Sequence, residues 1–403
     1  MIQQQFKTYQ LEIYASVDEL DADVWDHLIP SDAIMSKTSF LRVCEKLHDS
    51  HLKYFYCIVR KNNKPIAAFY LHKILFRGEI LSNYFFSKHG DTIKGLVNKI
   101  IDKMRFSFLS TGNIIASNEP CFYNTPEFNT DDIFCLIEES IATISQHFPE
   151  HKIVGHYLHF NFANPGSLPK ERDYIKIDVE PDMQVLLDEH IDTFEKYTES
   201  IRSKYKKRNR KIFKDGEAIK THIFDATEIT KYRTEIHQLY LKISEQAGFN
   251  VLQLHPTYFC EIKKALGDQF EIEGYFYEDE LIGFSSRIIN GSKAWIHFIG
   301  IDYSKNKKLH IYNRMLLDNL KQCLDKNIRD IKYGKTAAEI KSTIGAKPLY
   351  HDSYIKHHNC LIHSILKRYF KDKPAPEWLI RNPFKDEVVK TVKPVLTEVK
   401  TSS

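Results

Sequence analysis

The chain has 403 residues, 42% of them hydrophobic and 13% aromatic, with only 15 glycines and 14 prolines. At about 150 residues per domain this composition predicts two well-cored domains and a tail, and excludes a largely disordered or collagenous chain. Eight cations without an acid fall between Arg202 and Lys214; without them the net charge of +4 becomes −4, unlike a nucleic-acid binder basic throughout.

The first helix is expected after Ser16-Val17-Asp18-Glu19, a capping-box pattern, with Leu20, Val24, Trp25 and Leu28 as its apolar stripe. Tyr54–Val59 and Pro65–His72 read as strands joined by the turn Lys61-Asn62-Asn63-Lys64. Short strands over Phe106–Leu109 and Asn113–Ala116, a helix over Asp131–Gln146 and a strand over Lys152–Phe162 follow. The second half repeats the order. Helices are predicted over Glu228–Glu245 and Thr257–Leu266, then a hairpin of Phe270–Tyr277 and Leu281–Ile289. The strand Ala294–Ile299, a loop, the helix Ile311–Lys326 and the strand Asp330–Tyr333 complete the unit.

Seven scattered cysteines with no CxxC pair argue against a disulfide framework and against a zinc site, and no metal is expected. The sequence contains no run of about 18 apolar residues. It opens on Met1-Ile2-Gln3-Gln4-Gln5 rather than on a basic start and an apolar stretch, so a cytoplasmic protein is expected.

Two hairpins, each preceded by helices and followed by strand, helix and strand, point to a duplicated α/β unit with mixed sheets. Phe55–Val59 with Pro65–Phe69 matches Gly274–Tyr277 with Leu281–Phe284 in this respect. The expected division is an N-terminal unit over 1–185, a basic connecting helix over 186–216 and a C-terminal unit over 217–360. An amphipathic extension over 361–384 and a disordered tail over 385–403 follow.

With its hairpin and its strand–loop–helix–strand, the second half resembles the GNAT acyltransferases. Two such units resemble the tandem-GNAT group, to which the Fem peptidyltransferases are related. The supporting stretches are Tyr205–Lys211, Phe298–Asp302, Tyr333–Thr336 and Glu339–Pro348. The resemblance implies transfer of an acyl group from acyl-CoA, or from an acyl carrier protein, to an amine acceptor. It places the donor pyrophosphate at the start of the helix near 311, where helix N-termini favour anions. The stretch Asp302–Tyr312 contains no glycine, so Lys305, Lys307 and Lys308, with Asn306 and Asn313, are the expected donor-binding residues.

An alkylammonium with pKa near 10.4 must lose a proton before it attacks. Strand alternation puts Trp295, His297 and Ile299 on one face, making His297 the candidate base; a core histidine is the plainer alternative. Tyr312 and Tyr333 are candidate acids, though tyrosines more often serve packing. Glu119, in Ser117-Asn118-Glu119-Pro120, is a carboxylate facing the substrate from the first unit, or a turn residue. The histidines near 351–358 lack ligand spacing and read as surface.

Tyr205, Lys207, Arg208 and Arg210 of the basic segment, with Lys335 and Lys341, are the expected substrate or anion contacts. Their charge suits CoA phosphates, tRNA or anionic lipid alike, or a solvated helix. Leu361, Ile362, Ile365, Leu366, Tyr369 and Phe370 form an apolar stripe flanked by Lys367, Arg368 and Lys371, which suits peripheral membrane contact or packing on the chain itself. A lipid amine is therefore an acceptor to consider. The alternatives are Fem-like transfer from aminoacyl-tRNA to a cell-wall precursor, and a non-catalytic binding module.

Overall fold

The computed structural model describes residues 1–47, 52–77, 105–112, 115, 119–148, 153–160, 173–245, 253–371 and 378–385. The strand expected over 113–116 lies outside these residues apart from Ile115, and so does the expected tail apart from Lys385.

Each half builds one mixed sheet. In the first, β1 (Ile2–Phe6), β2 (Tyr9–Tyr14), β3 (Leu52–Lys61), β4 (Lys64–Arg77) and β5 (Arg105–Ser110) run in order, with β6 (Phe122–Asn124) also on β4. Then come β7 (Ile153–Phe160), the late strand Asp352–His357 and β8 (Ile175–Ile177). The N-terminal hairpin β1–β2, turned at left-handed Lys7, was not expected, because its glutamine-rich first strand shows little apolar alternation. The first helix also differs from expectation. Ser16 caps only a short turn over Val17–Glu19, and Asp21 caps the helix proper, Ala22–Leu28, by accepting from the amides of Asp23 and Val24. The next helix, Thr38–Lys46, was not expected either; it buries Phe40, Leu41 and Cys44.

The second sheet takes β9 (Asp182–Leu186), β10 (Lys220–Ile223), β11 (Phe270–Tyr277), β12 (Glu280–Asn290), β13 (Lys293–Ile301), β14 (Asp330–Gly334) and β15 (Lys347–Leu349). Its spatial order is β10-β11-β12-β13-β14-β9-β15. Position by position this matches β2-β3-β4-β5-β7-β16-β8, where β16 is Asp352–His357, so the two halves are one unit repeated.

The repeat contains an exchange. β8 and β9 are neighbours in sequence, as are β15 and β16, yet in each pair one strand stays in its own sheet and the other crosses over. β9 pairs with β14 and β15, while β16 pairs with β7 and β8. Strand 352–357, which the sequence assigns to the C-terminal unit, therefore completes the first sheet.

One hydrophobic cluster spans both halves, joining Trp25, Phe40, Tyr54 and Tyr70 to Tyr258, Phe259, Phe284 and Trp295. Asn290 donates to the Ser31 carbonyl at 2.9 Å and Lys293 pairs with Asp32 at 2.6 Å across the same junction.

Candidate active site at the strand fork

Among the described strands each sheet has one parallel pair, and the two pairs differ. In the first, β5 and β7 pair from Ser107/Ile153 to Ser110/Tyr157. Thr111 continues the closure, since its amide donates to the Tyr157 carbonyl at 3.1 Å and its hydroxyl accepts from the His159 amide at 2.9 Å. In the second, β13 and β14 pair only from Lys293/Asp330 to Trp295/Lys332. Beyond that point, Ile296–Ile301 has no described strand on that edge. The pair opens into a fork.

A bulge lies at the base of the fork. Ser285 pairs with Ile299 and Arg287 with Ile296, so His297 and Phe298 together oppose Ser286. The Ser286 hydroxyl locks the bulge, accepting from the Phe298 amide and donating to its carbonyl, both at 2.9 Å. Bulges of this kind commonly stand beside active sites, where they redirect side chains. Here the bulge cancels the expected alternation. Ile296 and Ile299 pack against the two clusters that Tyr312 of the helix Ile311–Asp325 also joins, while Phe298 packs against the opposite cluster.

Against the helix Ile311–Asp325, the basic helix Ser203–Asp215 buries Tyr205, Asn209 and Ile212 and half-buries Arg208. Arg208 Nη2 donates to Asn313 Oδ1 at 2.7 Å, in the first turn of Ile311–Asp325. Among the described residues no carboxylate pairs with Arg208. Burial lowers its pKa, the sign of a guanidinium held without a counter-charge.

Near Lys332 and Lys293 of the paired part of β13–β14, the first half contributes Glu119, which is 2% exposed. Burial pushes its carboxyl up to about 7, against the pull of Lys332 and Lys293 and a hydrogen bond with Tyr123. Lys332 is the last β14 residue paired before the strands part, and its ammonium lies 4.8 Å from the Trp295 ring centroid. The Trp295 indole N–H is buried and has no acceptor among the described residues.

No protein-family model matches the sequence, and no curated protein matches it. Solved structures do. A tandem GNAT protein from the clavulanic acid biosynthesis pathway superposes with a TM-score of 0.52 at 9% identity, over 87% of this chain and 99% of that one. The chain has the tandem-GNAT fold. FemX superposes over 88% of this chain and 100% of its own, with a TM-score of 0.49 and 10% identity.

Within the tandem-GNAT fold, the other residues singled out by sequence divide sharply. His297 does not face an open site. Its Nε2 is 2.7 Å from the Tyr258 hydroxyl, its ring lies among Phe40, Phe270 and Phe298, and burial pushes its pKa down to about 3. This is the core histidine that the sequence reading weighed against a base.

The two tyrosines part company too. The Tyr333 hydroxyl is spent on the Leu316 carbonyl at 2.9 Å. The Tyr312 hydroxyl has no hydrogen-bond partner among the described residues, and burial beside Tyr303 and Glu180 raises its pKa, so it stays protonated.

The expected loop over 302–310 is a short helix, Tyr303–Leu309, followed by His310 in the left-handed region at φ 51. His310 stands at the sharp bend where glycine would be the easy choice. Lys305 pairs with Glu280, Lys308 lies 5.9 Å from the Tyr277 ring centroid, and Lys307 is exposed. Asn306 Oδ1 accepts from the Tyr312 amide at 3.0 Å, capping the next helix. The three lysines thus form an outer surface and do not gather around that helix start.

Of the remaining expected anion contacts, Tyr205 packs in the core and Lys207 and Arg210 face solvent. Lys341 Nζ donates to the carbonyls of Tyr333, Gly334 and Lys335 at 2.7, 3.2 and 2.6 Å. Lys335 is held beside Asp182 and Glu180.

Sequence reasoning missed Glu180 and Asp182 altogether. Glu180 accepts from the Thr336 amide at the end of β14, and fully buried Asp182 lies 3.3 Å from His351 Nε2. His351 and His358, read as surface, instead meet the first sheet, with His358 Nε2 2.9 Å from His156 Nε2. The only signal was the Glu180-Pro181-Asp182 spacing, which looks like a solvated turn.

Proposed function

We propose that the chain transfers an acyl group from a CoA or carrier-protein thioester to an amine. The observation that carries this reading is the contrast between the two parallel pairs: the first is closed, and only the second parts into a fork. An opened pair exposes a strand edge along which an extended, amide-bearing donor arm could be held by strand-like hydrogen bonds. In this reading the donor lies in the fork of the second unit with its phosphates toward Arg208 and Asn313, where charge-assisted bonds are strong.

The acceptor amine approaches from the first unit. Glu119, with a pKa near the working pH, takes its proton, and the freed lone pair attacks the thioester carbonyl. The C–S bond then breaks, the Tyr312 hydroxyl gives its proton to the departing thiolate, and the tyrosinate so formed takes the second proton from the acylated nitrogen. The Glu119 environment supports this role because burial raises its proton affinity to about 7 against the pull of Lys332 and Lys293.

A Fem-like reaction has one observation in its favour, the exposed cations Lys204, Lys207, Arg210, Lys211 and Lys214 on the basic helix. Calorimetric titration with acetyl-CoA, palmitoyl-CoA and bulk tRNA at physiological salt tests both. Binding of a CoA ester without tRNA supports acyl-CoA transfer, and the tighter ester indicates the chain length. Saturable tRNA binding without CoA affinity transfers the assignment to the Fem-like reaction. If neither binds and Glu119→Gln changes no acyl-transfer rate, a binding module is the better description.

A further inference from the structure

The helix Cys360–Lys371 follows the exchanged strand β16 and is fastened on one side only. Asn359 caps it, accepting from the amides of Leu361 and Ile362 at 3.1 Å each. His363 is buried, its Nδ1 accepts from the His357 amide at 3.2 Å, and its Nε2 lies 3.3 Å from Asp173. Lys367 pairs with the same Asp173 at 2.5 Å. These contacts fix the helix rotation and set which face is turned outward.

That other face is apolar. Leu361 is 72% exposed and Ile365 67%, with Ile362 and Tyr369 beside them. At 100° per residue they fall within one sector, and Arg368 and Lys371 border it on one edge. The helix carries no acid. Arg368 and Lys371 make no ion pair among the described residues. Single exposed leucines are ordinary, but a contiguous apolar sector with a cationic border marks a docking face.

We infer that this face is a peripheral membrane-binding surface that takes anionic lipid. Leu361 and Ile365 would enter the boundary between headgroups and acyl chains, with Arg368 and Lys371 on lipid phosphates. A second copy of the chain is a poor occupant, because two such helices would bring like charges together with no acid to offset them. The helix lies on the surface rather than spanning; among the described residues no helix is long and apolar enough to cross a membrane. The inference does not depend on the acyl-transfer reading.

The test is co-sedimentation of the full chain with vesicles of phosphatidylcholine alone and of phosphatidylcholine with phosphatidylglycerol in equal parts. Binding to the anionic vesicles at least about tenfold tighter, and weakening with salt, is the expected result. The double variant Leu361→Asp/Ile365→Asp should lose binding to both. Arg368→Glu/Lys371→Glu should lose the preference for the anionic vesicles, and because both residues are exposed it retains the fold. No binding of the parent chain to anionic vesicles overturns the proposal, as does binding that neither variant changes. A halved mass of the Leu361→Asp/Ile365→Asp variant by light scattering, without vesicles, would assign the face to a second copy and likewise overturn it.

Discussion

Arg208 and Asn313, 105 residues apart in sequence, meet through an N–H···O bond of 2.7 Å that ties the basic helix to the helix leaving the fork. Of the eight cations in that segment, Arg208 is half-buried against the first turn of another helix. Arg208→Ala should raise the KM for the thioester donor by roughly 10- to 100-fold with a smaller change in kcat, since charge-assisted bonds of this kind contribute about 1.5–3 kcal/mol. Lys207→Ala, on the exposed face, should leave it unchanged. Equal effects from the two substitutions in initial-rate kinetics would refute a specific role for Arg208.

Glu119 should make both activity and stability depend on pH near neutrality. Activity needs the ionised carboxylate and should rise as pH passes through about 7. Stability should move the other way. The folded state holds a proton up to about 7 that the unfolded carboxyl releases near 4.5, so stability declines as pH rises across that window, by roughly 3 kcal/mol in full. Glu119→Gln should abolish the activity limb and flatten the stability slope, as read by pH–rate profiles and denaturant titrations at pH 5 and 8.

His297 should report on acid stability and not on catalysis. Its folded pKa of about 3 lies far below the unfolded value of 6.5, so between them the unfolded state binds more protons and stability falls as pH drops. His156 behaves alike, pushed down to about 3 by burial and by His358. His297→Gln should shallow the loss of stability between pH 6 and 4 while the pH–rate profile near neutrality keeps its shape. A kcat/KM limb that vanishes in this variant would restore His297 as a base.

Lys341 is structural, and its substitution should destabilise the end of β14. Lys341→Met keeps most of the side chain's volume but strands three carbonyls that share one ammonium, at a cost of roughly 3 kcal/mol. A denaturation midpoint unchanged from the parent would show that those carbonyls find other donors.

The hairpins and long helices were legible because period-2 and period-3.6 patterns arise from local sequence. The helix expected over 228–245 is in fact two, Ala226–Lys231 and Arg233–Ser244, because the Asp225/Glu228 capping box starts it early and Tyr232 interrupts it. The fork was not legible. It depends on where the β13–β14 ladder stops, which is set by a bulge opposite Ser286 and by the turn at Gly334, neither of which alters the apolar pattern. Nor could sequence separate Tyr312 from Tyr333, since the difference lies in whether the Leu316 carbonyl is within reach. Glu119 was singled out by its place after an expected strand, but Lys332, which acts on it, comes from the other half of the chain. Pairings at that separation leave no local trace.

The exchange of β9 and β16 has a consequence for synthesis. β7 is finished at Phe160, but its neighbour β16 begins only at Asp352, and β8 joins the first sheet only through β16. At ribosomal rates of about 5–20 residues per second, the open edge of β7 waits roughly 10–40 seconds for its partner. An unpaired strand edge is a template for association between chains. The nascent protein therefore passes through a stage in which its first half is nearly complete yet adhesive, and a ribosome stalled between residues 160 and 352 leaves it in that state.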